Sequence, residues 1–331
     1  MAELTKMTVI SLEELEGELG VDKFPRFVDE CERAFLNQIK SIATRILNSG
    51  DIRAVFVSGP TASGKTTFTD RLSQILNEAG RSTRLISLDD YYRTGSVTYD
   101  EQGRPDYESI STLDTKIMVK DFAALMACET VQLPTFDFVR RRRLFLPDRR
   151  TSLDRDGVVL IEGLHGLSEL IAGHLPASQI FGVFIMPWCT LLDGRQLLGS
   201  RGLRMMRRIS RDVLHRGSTA LSTLDYWPMI DHTELQFFPS YLSRADIYVN
   251  SCLPYEFCII PPLASAQIAH SLELHESGRL TGSIYRRGRH GFADLDAAIA
   301  EARDLLAACA RIPDADRSFV PRSSILREFI E

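Results

Sequence analysis

Apolar positions along this chain follow two alternating rhythms, and the alternation is the first clue to its architecture. From about Phe24 to Asn48, Phe27, Cys31, Phe35, Ile39, Ile42 and Ile46 recur at steps of four and three, the spacing of one helix face. Ser49-Gly50 ends that pattern. Arg53 to Ser58 (RAVFVS) is then a short apolar run of the kind buried in a sheet. Helical spacing returns from Thr66 to Asn77, a strand pattern from Thr83 to Leu88 (TRLISL), and a polar loop from Tyr91 to Pro105. Thr115 to Ala127 reads as helix; Val158 to Ile161, Phe181 to Met186 and Ile247 to Val249 read as strands. An Ala-rich helix is expected from Ala293 to Cys309, after a basic turn at Arg286 to Gly291. Strands alternating with helices, without an internal repeat, predict an α/β fold with a mainly parallel sheet.

Composition narrows the class of protein without naming a chemistry. The 331 residues are 44% hydrophobic and 25% charged, which suits a water-soluble globular chain. A net charge of −5 gives no global attraction to nucleic acid or to an anionic membrane, so neither is expected as a partner. The six cysteines lack metal-ligand spacing and read as reduced thiols. Without a signal-peptide pattern or an apolar run of about 18 residues, the expected location is cytoplasmic.

The strongest chemical signal is Gly59-Pro60-Thr61-Ala62-Ser63-Gly64-Lys65-Thr66, followed by Thr67. It fits G-x-x-x-x-G-K-[ST] in full, and it leaves a strand and opens a helix, as that motif must. The glycines let backbone N–H groups turn towards a polyphosphate, aided by the positive end of the helix dipole. Lys65 supplies a point charge for the β- and γ-phosphates, and the Thr66 hydroxyl a ligand for Mg²⁺. The alternative is an ordinary Gly-rich βα turn.

Two further acidic positions follow strands: Asp89 and Asp90 after TRLISL, and Glu162 after VVLI. In an open α/β sheet, ligands bind beyond the carboxyl ends of the strands, so these carboxylates are candidates for proton acceptance and metal ligation. Capping of the following segment by Asp89 or Asp90 is the competing use. Arg204, Arg207, Arg208 and Arg211 share one broad helical face, which is either a solvated charged surface or a lid for the charge of phosphoryl transfer. Arg140 to Arg143, after Phe136-Asp137-Phe138, read as a local contact for an anion or substrate.

In this order the pieces resemble the uridine kinase and phosphoribulokinase family. GPTASGKTT is followed by SLDDYYR, then by Pro134-Thr135-Phe136-Asp137-Phe138, Ile161-Glu162-Gly163, RMMRRISRDVLHRG and Arg244-Ala245-Asp246. Glu162 to Leu167 and Ser324 to Ile330 are similar to the long bacterial-type uridine kinase homologues. About fifty residues precede the phosphate loop, too few for the small TGS domain that often stands there plus the helix. The resemblance implies a three-layer P-loop NTPase fold with a helical lid and a small substrate-binding hairpin. It implies residues 1–50 as a helical extension, 51–262 as the kinase domain with its lid at about 200–218, and 263–331 as a helical segment packed on it. ATP and Mg²⁺ would be the cofactors, a small molecule the partner, and a homo-oligomer is left open.

Residue by residue, the resemblance implies Asp89 as the base for a ribose 5′-hydroxyl, with Lys65 on the phosphates. Thr66, Asp89 and Glu162 would surround Mg²⁺. Tyr92, Asp106 and Arg204 would position the sugar, and Arg207, Arg208 and Arg211 would cover the ATP phosphates. Phe136, Phe138 and Arg141 would meet the rest of the acceptor. Phe136 and Arg141 stand where the family usually carries a Tyr and a His that read the pyrimidine; Phe136 keeps a stacking face, while Arg141 can only donate. The activity implied is phosphorylation of uridine or cytidine by direct in-line transfer. The alternatives are a kinase of a sugar phosphate or other small alcohol, and a nucleotide-binding regulatory protein without transfer activity.

Overall fold

The computed structural model describes residues 6–94, 97–137, 140, 142–286 and 291–331. Phe138, Arg141 and most of the basic turn at 286–291 lie outside the described residues. The chain opens with strand β1 (Thr8–Ser11) and helix α1 (Leu12–Gly17), joined by a capping box between Ser11 and Glu14. The 27-residue α2 (Lys23–Ser49) buries Val28, Cys31, Phe35, Ile39, Ile42 and Ile46, close to the face expected from its spacing. Then come β2 (Ala54–Ser58), α3 (Lys65–Glu78), β3 (Thr83–Ser87) and α4 (Thr115–Met126), each within two residues of expectation. Two small antiparallel pairs follow. β4 (Val131–Gln132) pairs with β7 (Arg150–Thr151), and β5 (Thr135–Asp137) with β6 (Arg142–Leu144).

Strand β8 (Val158–Glu162) leads through α5 (Glu169–Ala172) to β9 (Ile180–Met186). Strands β10 (Cys189–Asp193) and β11 (Arg195–Gly199) form a hairpin, and β1 adds to it in parallel. Residues 8–11 are therefore strand inside a stretch expected to be helical; four residues are too few to display a period of their own. The remaining elements are α6 (Ser200–Arg216), α7 (Ala220–Arg244), β12 (Ile247–Asn250), α8 (Ile260–Glu276), α9 (Leu295–Cys309) and α10 (Arg327–Ile330). Among the described residues no helix is long and apolar enough to cross a membrane.

The central sheet runs β12-β9-β2-β8-β3, with every neighbouring pair parallel. Side chains of a strand alternate between faces, and here both faces are dry. Val55, Val57, Leu160, Val183 and Ile185 join a core with α2, α3, α6 and α8. Ala54, Phe56, Val159, Ile161 and Phe184 join a second core with Met118, Phe122 and Leu125 of α4 and Tyr241 of α7. This is a three-layer α/β sandwich. Its functional consequence is register: Glu162 of β8 lies level with Val57 of β2 and Ser87 of β3, so the segments leaving three adjacent strands meet at one edge.

Candidate active site at the carboxyl edge of the sheet

The loop after β2 has the backbone of an anion cradle. Ala62 (φ 58°) and Gly64 (φ 81°) are both left-handed, the alternation that turns successive N–H groups to one side. Gly59 is fixed by space, because a Cβ there would collide with the Ile185 carbonyl. Lys65 opens α3 and donates to its own loop, at 3.0 Å to Gly59 O and 2.9 Å to Pro60 O. Thr66 is exposed at the first turn, and the buried Ser63 hydroxyl has no hydrogen-bond partner. The loop borders a cavity of about 470 Å³ into which Lys65, Asp89 and Glu162 all face.

The two carboxylates differ in environment. Glu162 accepts from the Ser87 hydroxyl at 2.7 Å, and its carboxyl is pushed up to about 7, first by burial and then by Asp89, against Lys65. Asp89 is pushed up as well, by enclosure first and by Glu108 and Asp90, with Lys65 and Arg216 opposing. Its side chain is open to the water of the cleft, so the firmer shift is on half-buried Glu162. Asp90 does different work: it accepts from Thr135 Oγ1 and Phe136 N, both at 3.1 Å, and from Arg149 at 2.7 Å. It anchors the β5–β6 hairpin beside the cavity.

Next to the phosphate end, the cavity has aromatic walls. Tyr92 and Phe136 lie 5.4 Å apart, and Tyr107 and Tyr226 6.3 Å apart. Asp106 stands behind these walls rather than in the lining; burial raises its carboxyl against bonds from the backbone of Ser109 and Glu108, and its Oδ1 is buried without a hydrogen bond.

Helix α6 divides its arginines between two tasks. Arg208 and Arg211 face the cavity and are joined by His215 and Arg216. Arg208 donates to Thr61 Oγ1 at 3.0 Å and lies over Tyr226 and Tyr285, which stack at 4.3 Å. Asp212, buried beneath them, would be raised by its burial, but Arg211, Arg208 and Arg216 hold it well below the usual carboxylate range. Arg204 and Arg207, expected on the sugar and the phosphates, do not line the cavity. Arg204 donates to Thr61 O at 3.0 Å and pairs with Glu234. Arg207 is fully buried, donating to Ala62 O at 3.1 Å, Ser251 O at 2.8 Å and both Glu256 oxygens at 2.7 Å. Each arginine has a buried carboxylate waiting behind the phosphate loop, and a guanidinium desolvated there is worth keeping only with such a partner. Both therefore hold the loop's carbonyls from behind.

Several lining residues lay beyond reach of the sequence pattern: Glu108, Tyr107, Tyr226 and Tyr285. Leu164, His215, Arg216 and Glu328 fall within segments the sequence had marked, though without a role. Mg²⁺ suits the donor set. A phosphate-bound magnesium uses one hydroxyl, one or two carboxylates and water rather than an all-protein cage.

Residues 54–188 match the model of the Phosphoribulokinase / Uridine kinase family. The uridine kinase of Macrococcus caseolyticus is 26% identical over 195 residues, covering 58% of this chain and 85% of the relative. That of Halobacterium salinarum is 25% identical over 198 residues, covering 59% and 79%. A solved structure described as a possible uridine kinase from Bacillus stearothermophilus overlaps 64% of this chain and 97% of its own, at 20% identity and a TM-score of 0.43. Residues 54–188, which hold the complete phosphate loop and both strand-end carboxylates, are the part of the chain that is similar to the phosphoribulokinase / uridine kinase family.

Proposed function

We propose that this protein transfers the γ-phosphoryl group of ATP to the 5′-hydroxyl of a pyrimidine nucleoside. One observation carries the reading: Lys65, Asp89 and Glu162, distant in sequence, face one cavity that Tyr92, Tyr107, Phe136 and Tyr226 also line. The cationic side chains suit a polyphosphate, and the aromatic faces suit a planar base. Asp89, in the cavity lining with Lys65, accepts the proton of the attacking hydroxyl. Lys65, Arg208 and Arg211 face the charge that spreads over the equatorial oxygens. Thr66, Asp89 and Glu162 would hold Mg²⁺, which neutralises phosphate charge when bound. Asp106, expected to position the sugar, does not line the cavity, so no sugar contact is assigned to it.

An anionic acceptor such as a sugar phosphate is less well served. Of the arginine run, Arg140 pairs with Asp137 and Arg143 with Asp114, each at 3.0 Å, so two of its cations are already neutralised. ADP release measured across nucleosides, nucleotides and sugar phosphates tests the reading. Saturable turnover with uridine or cytidine supports it. Turnover confined to sugar phosphates would transfer the proposal to the other branch, and nucleotide binding without release for any acceptor would leave a regulatory protein.

A further inference from the structure

The family match ends at residue 188, yet one side of the cavity is built from much later in the chain. Residues 320–331 lie against the phosphate loop itself. A Cβ on Gly64 would run into the Ile325 side chain, so Ile325 fills the space beside the residue that precedes Lys65. Val320, Ile325, Leu326 and Phe329 are buried, with Arg207 over the Phe329 ring at 5.3 Å. Ser324 bonds Tyr255, which donates to Glu32 at 2.8 Å, and Arg71 donates to Ser323 O. A displaceable latch must leave its seat cheaply, and burial of four apolar side chains forbids that. The segment is a fixed wall.

From that wall Glu328 points into the cavity and accepts from Arg211 Nη1 at 3.2 Å, while Arg211 Nε donates to Asp212 at 3.1 Å. Asp212 alone is shared by three arginines, 208, 211 and 216, which repel one another. A second carboxylate on Arg211 offsets that repulsion and fixes the plane of its guanidinium at the phosphate end. Glu328 is also near enough to Glu162 for its charge to push that carboxyl further up. We infer that Glu328 is a positioning residue for the nucleotide polyphosphate, acting through Arg211. The inference rests on the nucleotide reading of the cavity, but not on any acceptor.

The test is the affinity of the full chain for Mg-AMPPNP, measured by calorimetry without acceptor, so absence of turnover would sink the kinase reading and leave this measurement intact. Glu328→Gln is expected to weaken binding about tenfold, the order of one charge-assisted hydrogen bond discounted for partial exposure. Arg211→Met should weaken it similarly, and the double variant no more than the weaker single one. Glu331→Gln, which breaks the Arg327–Glu331 pair in the same segment, should stay within about twofold of the parent. Unchanged or tighter binding in Glu328→Gln overturns the inference, as do additive losses or an equal loss in Glu331→Gln. Should Glu328→Gln not fold, Arg211→Lys replaces it: the charge stays but the fork that spans Asp212 and Glu328 is gone, and parental affinity there overturns the inference too.

Discussion

Replacing Glu256 with Gln is the sharpest test of how the phosphate loop is held. Glu256 and Arg207 are both fully buried and joined by two parallel bonds of 2.7 Å. Burial works to lower the Arg207 pKa, but Glu256 more than offsets it. The Gln side chain keeps the shape, removes the charge, and turns one acceptor into an NH₂ group facing guanidinium N–H. It also weakens the acceptor for Leu253 N, now bonded at 2.9 Å. Removing one partner of such a pair costs about 3–5 kcal/mol, because the other charge stays desolvated. In urea that corresponds to a midpoint lower by on the order of 1 M. The double variant Arg207→Met/Glu256→Leu removes both charges and should recover most of the loss. Urea unfolding followed by circular dichroism reads all three proteins. A cost below about 1 kcal/mol for Glu256→Gln would show that Arg207 reaches water, as a phosphate lid requires, and would undo the assignment of Arg207 to the scaffold.

Asp89→Asn should lower kcat by about 10²–10⁴-fold; an unchanged rate removes Asp89 as the base. Gly64→Ala places a Cβ against Ile325 at φ 81°, where an L-residue costs about 1–2 kcal/mol. It should weaken nucleotide binding, Ile325→Ala in the same chain should restore part of it, and failure of that rescue would deny the contact. His165 is buried between Tyr241 OH and Glu108 O, each at 2.7 Å, and burial holds its pKa down to about 4 from 6.5. The unfolded chain takes up a proton that the native state refuses, so this contribution is intact above pH 6.5 and is lost as pH falls towards 4, by up to about 3 kcal/mol. Urea midpoints at pH 5 and pH 8 should converge in His165→Gln relative to the parent, and equal pH slopes in the two proteins would contradict the burial argument.

The parts of the fold that could be read from sequence are those whose signal is local. β2, β8 and β9 are dry on both faces and appear as uninterrupted apolar runs; α2 has a polar side and so shows its period. The 25-residue α7 gave no such signal. It is buried on several sides, from Leu221 round to Trp227 and Ile230, and carries Pro228 and Pro239 within it, which speak against a helix. β10 and β11 are five residues each and partly exposed, too short and mixed to separate from loop.

The site divides along the same physical line. The phosphate loop is eight consecutive residues, and Asp89 and Glu162 follow strands whose parallel pairing was itself legible, so their convergence could be expected from topology. The arginines of α6 were a different problem. Spacing shows that Arg204, Arg207, Arg208 and Arg211 share a face, but a helix face acquires meaning only from what packs against it. Here the neighbours are Glu234, Glu256, Glu108 and Glu328, which lie 30, 49, 100 and 117 residues from the arginines they meet. No local pattern marks a carboxylate that will pair across such a distance: Glu108, Glu234 and Glu256 look like ordinary surface residues in the sequence, and the segment that holds Glu328 stands out without showing which arginine it meets. The pairing decides the role: where the carboxylate is buried behind the loop the arginine supports it, and where the carboxylate borders the cavity the arginine stays at the phosphate end. A single helix thus serves as scaffold and as anion wall, and which residue does which is set by acids contributed from elsewhere in the chain.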